Sequence, residues 1–167
     1  AEASGIYIDR AARIVKLVGP LDLRSRRLGQ GRAERSSIHA SQWAELKLGQ
    51  TVRAGADVGV DELFQLDRLE SARFVGDTVV NLDGQRLAAN RLDVSFDEGA
   101  PDQSLESAIR SAVAFGSVRL SGNDGKIACD NLTLAFSRTE AGRVYPQHMD
   151  ALGDVRMERD RAAITGK

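Results

Sequence analysis

The sequence predicts an all-β fold in which repeated antiparallel hairpins form an open β-jelly roll, a single sheet folded over on itself. Three observations carry that expectation. Residues 113–120 and 127–136 are alternating runs separated by Ser121-Gly122-Asn123-Asp124-Gly125, whose Asp-Gly step suits the positive φ of a hairpin turn. The same hairpin recurs, because Val75 to Val80 leads through Asn81-Leu82-Asp83-Gly84 into Leu87 to Phe96, and Met149 to Met157 leads into Ala163 to Gly166. The register is also kept: Gly76 to Leu87, Gly116 to Ile127 and Gly153 to Ile164 each span eleven positions, and successive glycines lie 40 and 37 residues apart.

Taken in order, Ser4 to Ile8 and Ala11 to Val18 read as two strands joined by a turn at Asp9-Arg10. Pro20 offers no amide donor, which suits an edge strand near the start of a sheet. A fainter first copy of the repeat follows, with Gly19 to Leu23, an arginine-rich connection, and then Ile38 to Trp43. Leu23 to Arg35 sets Arg24, Arg26, Arg27, Arg32 and Arg35 against a single Glu34, with Gly29 and Gly31 between. Two readings fit. The guanidinium forks are phosphate-contact candidates on a binding loop, or the stretch is a solvated connection between strands.

Ile38 to Leu48 is expected as one strand, with Trp43 as a large core or rim residue. Residues 49–62 read as a loop, and 69–80 as strand. Apolar residues at 63, 64, 66 and 69 are compatible with a helical turn, which leaves 61–68 open. Asp97 to Ser107 and Ser137 to His148 read as loops at the same point of the repeat, so both belong on one rim. Residues 163–166 enter the second strand of the last copy, an edge for a partner or a continuation to complete.

The strands themselves change face. Leu87 and Ala89 share one parity while Leu92, Val94 and Phe96 share the other, and Ile127 and Cys129 against Leu132, Leu134 and Phe136 repeat the switch. A parity change inside a strand requires a bulge or a corner. Such strands bend and wrap around an apolar interior whose ends stay open.

Composition sets the remaining bounds. A chain of 167 residues is read as one domain, standing alone or as part of a longer array. A formal net charge of −1 with 28% charged residues gives no reason to expect a nucleic-acid partner. Aromatic residues are only 5%, so the core must rest on Val, Leu, Ile and Ala, with Phe64, Phe74, Phe96, Phe115 and Phe136 as its bulky members. The single Cys129 stands where the matching repeat has Ala89, and is expected as a small inward-facing residue. No run approaches the ~20 apolar residues of a membrane-spanning helix. His39 and His148 lie in unlike contexts without ligand spacing, and no nucleophile elbow or phosphate-binding loop is present, so no enzyme activity, metal or cofactor is expected.

The repeated pattern A-x-G-x-V-x-apolar, a Gly- or Asp-containing turn, then apolar-x-A-x-x-apolar-x-apolar resembles the OstA-like family of lipopolysaccharide-transport proteins. Ala114 to Leu120 with Ile127 to Phe136, Met149 to Met157 with Ile164 to Gly166, and Gly84 to Phe96 carry the resemblance. It covers 69–167 well and 5–48 loosely, and the chain departs from the pattern at Leu23 to Glu34 and Gly49 to Arg68. The resemblance implies a periplasmic bridge between the two membranes of a Gram-negative bacterium. Lipid A acyl chains would lie in the apolar interior, and domains would join to each other or to themselves through edge strands.

On that reading Leu92, Val94, Phe96, Val118, Leu120, Leu132, Leu134, Phe136, Val155 and Met157 are the groove candidates. The bland alternative is that they fill a closed core. A second function remains open: a β-repeat scaffold that polymerises through its edges and carries no lipid.

Overall fold

The structure, a computed structural model, describes residues 4–28, 33–49, 69–82, 84–97, 109–122, 125–139, 144–159 and 162–166. All regular structure among them is strand. In chain order these are β1 (Gly5–Asp9), β2 (Ile14–Val18), β3 (Leu21–Leu28), β4 (Ala33–Ala40), β5 (Trp43–Leu48) and β6 (Leu69–Leu82). They are followed by β7 (Gln85–Phe96), β8 (Ile109–Gly122), β9 (Gly125–Arg138), β10 (Val144–Leu152), β11 (Val155–Arg159) and β12 (Ala162–Gly166). Every pairing is antiparallel, and the twelve strands form one sheet ordered β1-β2-β5-β6-β7-β8-β9-β11-β12, with β3 and β4 branching from β6 and β10 from β9.

The branches show how the sheet folds. β6 pairs with β5 along residues 71–75 and with β4 along 79–81, so β4 and β5 are two halves of one broken strand. β2 with β3, and β10 with β11, are halves in the same sense. The breaks fall at Gly19-Pro20, Ser41-Gln42 and Gly153-Asp154. In the unbroken strands the ladder slips at the same level, between Val75 and Thr78, between Ala88 and Arg91, and between Phe115 and Val118. A fold line therefore crosses the whole sheet.

Its cause is local backbone geometry. Gly76-Asp77, Gly116-Ser117 and Gly153-Asp154 each place two successive residues at positive φ, from 38° to 86°. On β6 and β8 these pairs oppose the single residues Asn90 and Asp130, the two-against-one count of a β-bulge. Glycine leads each pair because a side chain there would be strained by the backbone and crowded by the neighbouring strand. Hydrogen bonds cross the bend, from Ser41 N to Gly76 O at 2.6 Å, Gly19 N to Gln42 O at 2.7 Å and Asp130 N to Gly153 O at 3.0 Å. The sheet bends without tearing.

Two walls result. The first contains β1, β2, β5, β10 and residues 69–75, 91–96, 109–115 and 131–138 of the long strands; the second contains β3, β4, β11, β12 and residues 78–82, 85–89, 118–122 and 125–129. One core lies between them. Along the fold line the first wall contributes Leu17, Ala44, Phe74, Leu92, Ala114 and Leu132, and the second Leu21, Ala40, Thr78, Ala89, Val118 and Cys129, all buried. Ala40, Ala44, Ala89 and Ala114 stand among larger residues, so the walls close at the crease.

Several expectations change. Phe115 is not a core residue: it pairs with Arg91 and Asn131 on the outer face, and Ala112 and Ala114 point inward in its place. Alanine stands opposite Phe74, Leu92 and Leu132 at the crease, and strand alternation after Ala114 turns Phe115 outward. Ile38 to Leu48 is two strands broken at Ser41-Gln42. The arginine-rich stretch is no loop, since Arg24, Arg26 and Arg27 lie in β3 and Arg35 in β4, while Arg32 falls outside the described residues. Strand β10 begins at Val144, inside a segment expected to be loop.

Cys129 is buried as expected. Pro20 sits in the break, just before β3, which among the described strands pairs with β4 alone and so forms an edge of the second wall. The ends of β7 and β9 do share one rim, where Arg138 Nη2 meets Asp97 Oδ2 at 2.7 Å. Phe64 and the segments 50–68 and 98–108 lie outside the described residues.

Candidate functional site

Alternation along each strand decides which side chains enter the interior, and the bulges keep that face inward on both walls. All ten groove candidates point inward, at two depths. Leu92, Val94, Phe96, Val118 and Leu132 are buried, with Val118 at 1% and Leu132 at 0% exposure. Leu120, Leu134, Phe136, Val155 and Met157 are half-buried, and the first four of these pack against the core. Leu92, Val118 and Leu132 lie at the crease, Val94 and Phe96 stay buried farther along β7 toward the rim, and Val155 is half-buried just after the break.

Half-buried positions form a continuous row. On the second wall, one step from the crease, Leu23, Ile38, Val80, Leu87, Leu120 and Ile127 all contact the core while remaining partly exposed. Cross-strand registers place Ile38 opposite Val80, Val80 opposite Leu87, Leu87 opposite Leu120, and Leu120 opposite Ile127. A ribbon of branched aliphatic side chains thus runs along the wall from β3 to β9. Sequence reading picked only Leu120 from it. Leu87 and Ile127 were visible as the residues opening the second strand of each copy, and that shared position was the missed signal.

The interior also continues to both sheet edges. Ile6 and Ile8 of β1 pair with the buried Leu17 and Val15, yet Ile6 is 60% exposed because no described strand lies beyond it. At the other end Met149 of β10 pairs with Leu134 and is 40% exposed. Neither apolar end is covered by another described residue. Tyr7, Tyr145 and Leu152 add further exposed apolar surface to these two edge strands.

One polar group interrupts the interior. Thr78 lies at the crease opposite Ala89, it is 1% exposed, and its Oγ1 has no hydrogen-bond partner. The Cys129 thiol is held above its usual range, first by burial and then by the nearby Asp130 charge, which keeps it protonated and unreactive.

The outer face of the first wall is polar and paired. Asp93 binds Arg73 Nε at 2.9 Å and Arg91 Nη2 at 3.2 Å, and its hydrogen bond and charge hold Arg73 above the ordinary guanidinium value. Lys47 meets Glu70 at 2.8 Å. Two cations cover aromatic rings: Lys16 Nζ lies 4.4 Å from the Trp43 ring centre and the Arg91 guanidinium carbon 4.1 Å from that of Phe115. Trp43 is therefore an outer-face residue near the fold line.

His39 and His148 stand on different walls, and His148 Nε2 faces Asp150 Oδ2 at 2.9 Å on an exposed strand. Among the described residues no group of three or more His, Cys, Asp or Glu side chains is placed to hold a metal ion. No protein-family model matches this chain, and neither does any curated protein.

Proposed function

We propose that this protein is a lipid carrier of the lipopolysaccharide-transport type. It would hold lipid A acyl chains between its two walls and act as a bridge between the inner and outer membranes of a Gram-negative bacterium. The observation that supports this reading most is the graded interior. Apolar residues are sealed at the crease, half-exposed in an unbroken aliphatic row on the second wall, and uncovered at both edges. Aliphatic rows of this kind match the chemistry of acyl chains, and exposed apolar surface that persists in a folded domain marks a binding surface. The sugars and phosphates of the lipid would stay outside. Arg24, Arg26, Arg27, Arg32 and Arg35 remain the phosphate-contact candidates.

Native mass spectrometry with and without added lipopolysaccharide tests the proposal. A lipid-sized adduct is expected for the wild type. Phe136→Asp places a charge among the half-buried residues of β9, and it should abolish the adduct while the strand signal in circular dichroism survives. A fully folded protein with no adduct at any lipid concentration would sink the carrier reading.

A second reading has its own support. Edge strands β1 and β10 present Ile6, Tyr7, Tyr145, Met149 and Leu152 beside backbone groups that no described strand pairs, an arrangement open to strand addition by another domain or a second copy. If oligomers grow with protein concentration and no lipid is ever recovered, the protein is a β-repeat scaffold.

A further inference from the structure

The second wall has an outer face unlike that of the first. Arg119 and Arg156 flank Ala128 in one cross-strand row, and Arg86 and Lys126 flank Ser121 in the next. All four cations are exposed, since each alternates with an inward residue: Val118 and Leu120, Val155 and Met157, Leu87, and Ile127. Members of a row stand two strands apart, about 10 Å, and diagonal neighbours about 7–8 Å apart. Between them lie only Ala88, Ala128 and Ser121, so nothing tall separates the charges.

None of the four makes an ion pair with a described residue, whereas on the first wall Arg73, Arg91, Lys47 and Arg138 all do. Among the described residues the acids at hand are Glu158, opposite Lys126 in the ladder, and Asp130 and Asp154 on the fold line. Four cations on adjoining strands, none paired with a described residue, in a chain whose formal net charge is −1, are a local concentration and not a general excess.

We infer that this outer face docks on a bilayer surface that displays phosphate-bearing headgroups. The spacing favours an array of anions over one. Four cations about 7–10 Å apart on one face of the sheet can each meet a separate headgroup in a plane. The face also lacks the aromatic platforms on which single-stranded nucleic acid stacks, because Trp43 and Phe115 belong to the other wall. Docking through the outside leaves the interior of the same wall free, so this inference does not depend on the carrier reading.

The test is co-sedimentation of the whole protein with vesicles of phosphatidylcholine alone and of phosphatidylcholine mixed with phosphatidylglycerol. Wild type is expected on the anionic vesicles only, released by salt. The double variant Arg119→Gln, Arg156→Gln should bind them roughly 25-fold more weakly, about fivefold per cation. Arg73→Gln with Arg91→Gln on the first wall should stay within about twofold, since those cations are already paired. Equal binding by the Arg119/Arg156 variant, wild-type binding to neutral vesicles as strongly as to anionic ones, no binding at all, or preference for an oligonucleotide over anionic vesicles would each overturn the inference. Circular dichroism of every variant separates lost docking from lost fold.

Discussion

A Cβ placed on Gly116 would stand 2.7 Å from Asn90 Nδ2, so the bend in β8 and the side chain of β7 occupy the same space unless residue 116 is glycine. The φ of +74° at Gly116 adds backbone strain for any other residue. Gly84 has a similar φ of +79° but meets nothing within 4 Å. Gly84→Ala should therefore cost about 1 kcal/mol, the left-handed strain alone, and Gly116→Ala about 2–3 kcal/mol. Urea unfolding of both variants measures the difference. Adding Asn90→Ala to Gly116→Ala should recover part of the loss, a coupling that a double-mutant cycle reads directly.

The crease and the row beside it should respond differently to truncation. Leu132 is completely buried, and Leu132→Ala should cost about 2–5 kcal/mol through lost transfer energy and the cavity left behind. Phe136 is half-buried, so Phe136→Ala should cost only about 1 kcal/mol. If Phe136→Ala proves as costly as Leu132→Ala in chemical denaturation, the interior near β9 is a closed core and the groove reading fails there.

Thr78 carries a buried hydroxyl with no partner. Thr78→Val keeps the shape and removes the orphan group, so the variant should be more stable than wild type by about 1–2 kcal/mol. A rise in the urea midpoint with an unchanged slope is the expected result. A loss of stability would mean that the hydroxyl is bonded in solution, to an ordered water at the crease.

Cys129 makes stability depend on alkaline pH. Its thiol is raised in the folded protein, so the unfolded chain releases the proton first as pH increases. The contribution is fully present below the ordinary thiol value and is lost as pH climbs from there toward the raised folded value. Unfolding free energy should fall in that window for wild type and less steeply for Cys129→Ala. A maleimide should label native Cys129 only at the rate of unfolding.

The fold line was legible in the sequence because a bulge shifts parity by one, and the hydrophobic pattern of Leu87 to Phe96 and of Ile127 to Phe136 records that shift. On β8 the inserted residues preserve parity, from Ala114 to Val118, so the pattern there gave no warning. Phe115 reads as inward on hydrophobicity, but it directly follows the inward Ala114, and pleat alternation turns it to the outer face beside Arg91. The break at Ser41-Gln42 was equally silent, since its bend is held by hydrogen bonds to Val75 and Gly76, far away in the chain. The ribbon from Leu23 to Ile127 escaped notice because its members belong to different strands, and only the register brings them side by side. Charge on the second wall's outer face hid for the same reason, as Arg86, Arg119, Lys126 and Arg156 are scattered among neutral residues in the chain.

From β6 to β9 each strand pairs with the next in sequence over most of its length. Such a meander can grow by zipping. The β6–β7 and β8–β9 hairpins each close across two residues, whereas β5 must find β6 across 49–68 and β2 must find the non-consecutive β5. The central hairpins should form the nucleus and the margins β1 and β12 should be the last to order and the first to fray. Amide hydrogen exchange would then report a gradient of protection across the sheet, highest at Leu92 and Ala114 and falling toward both margins.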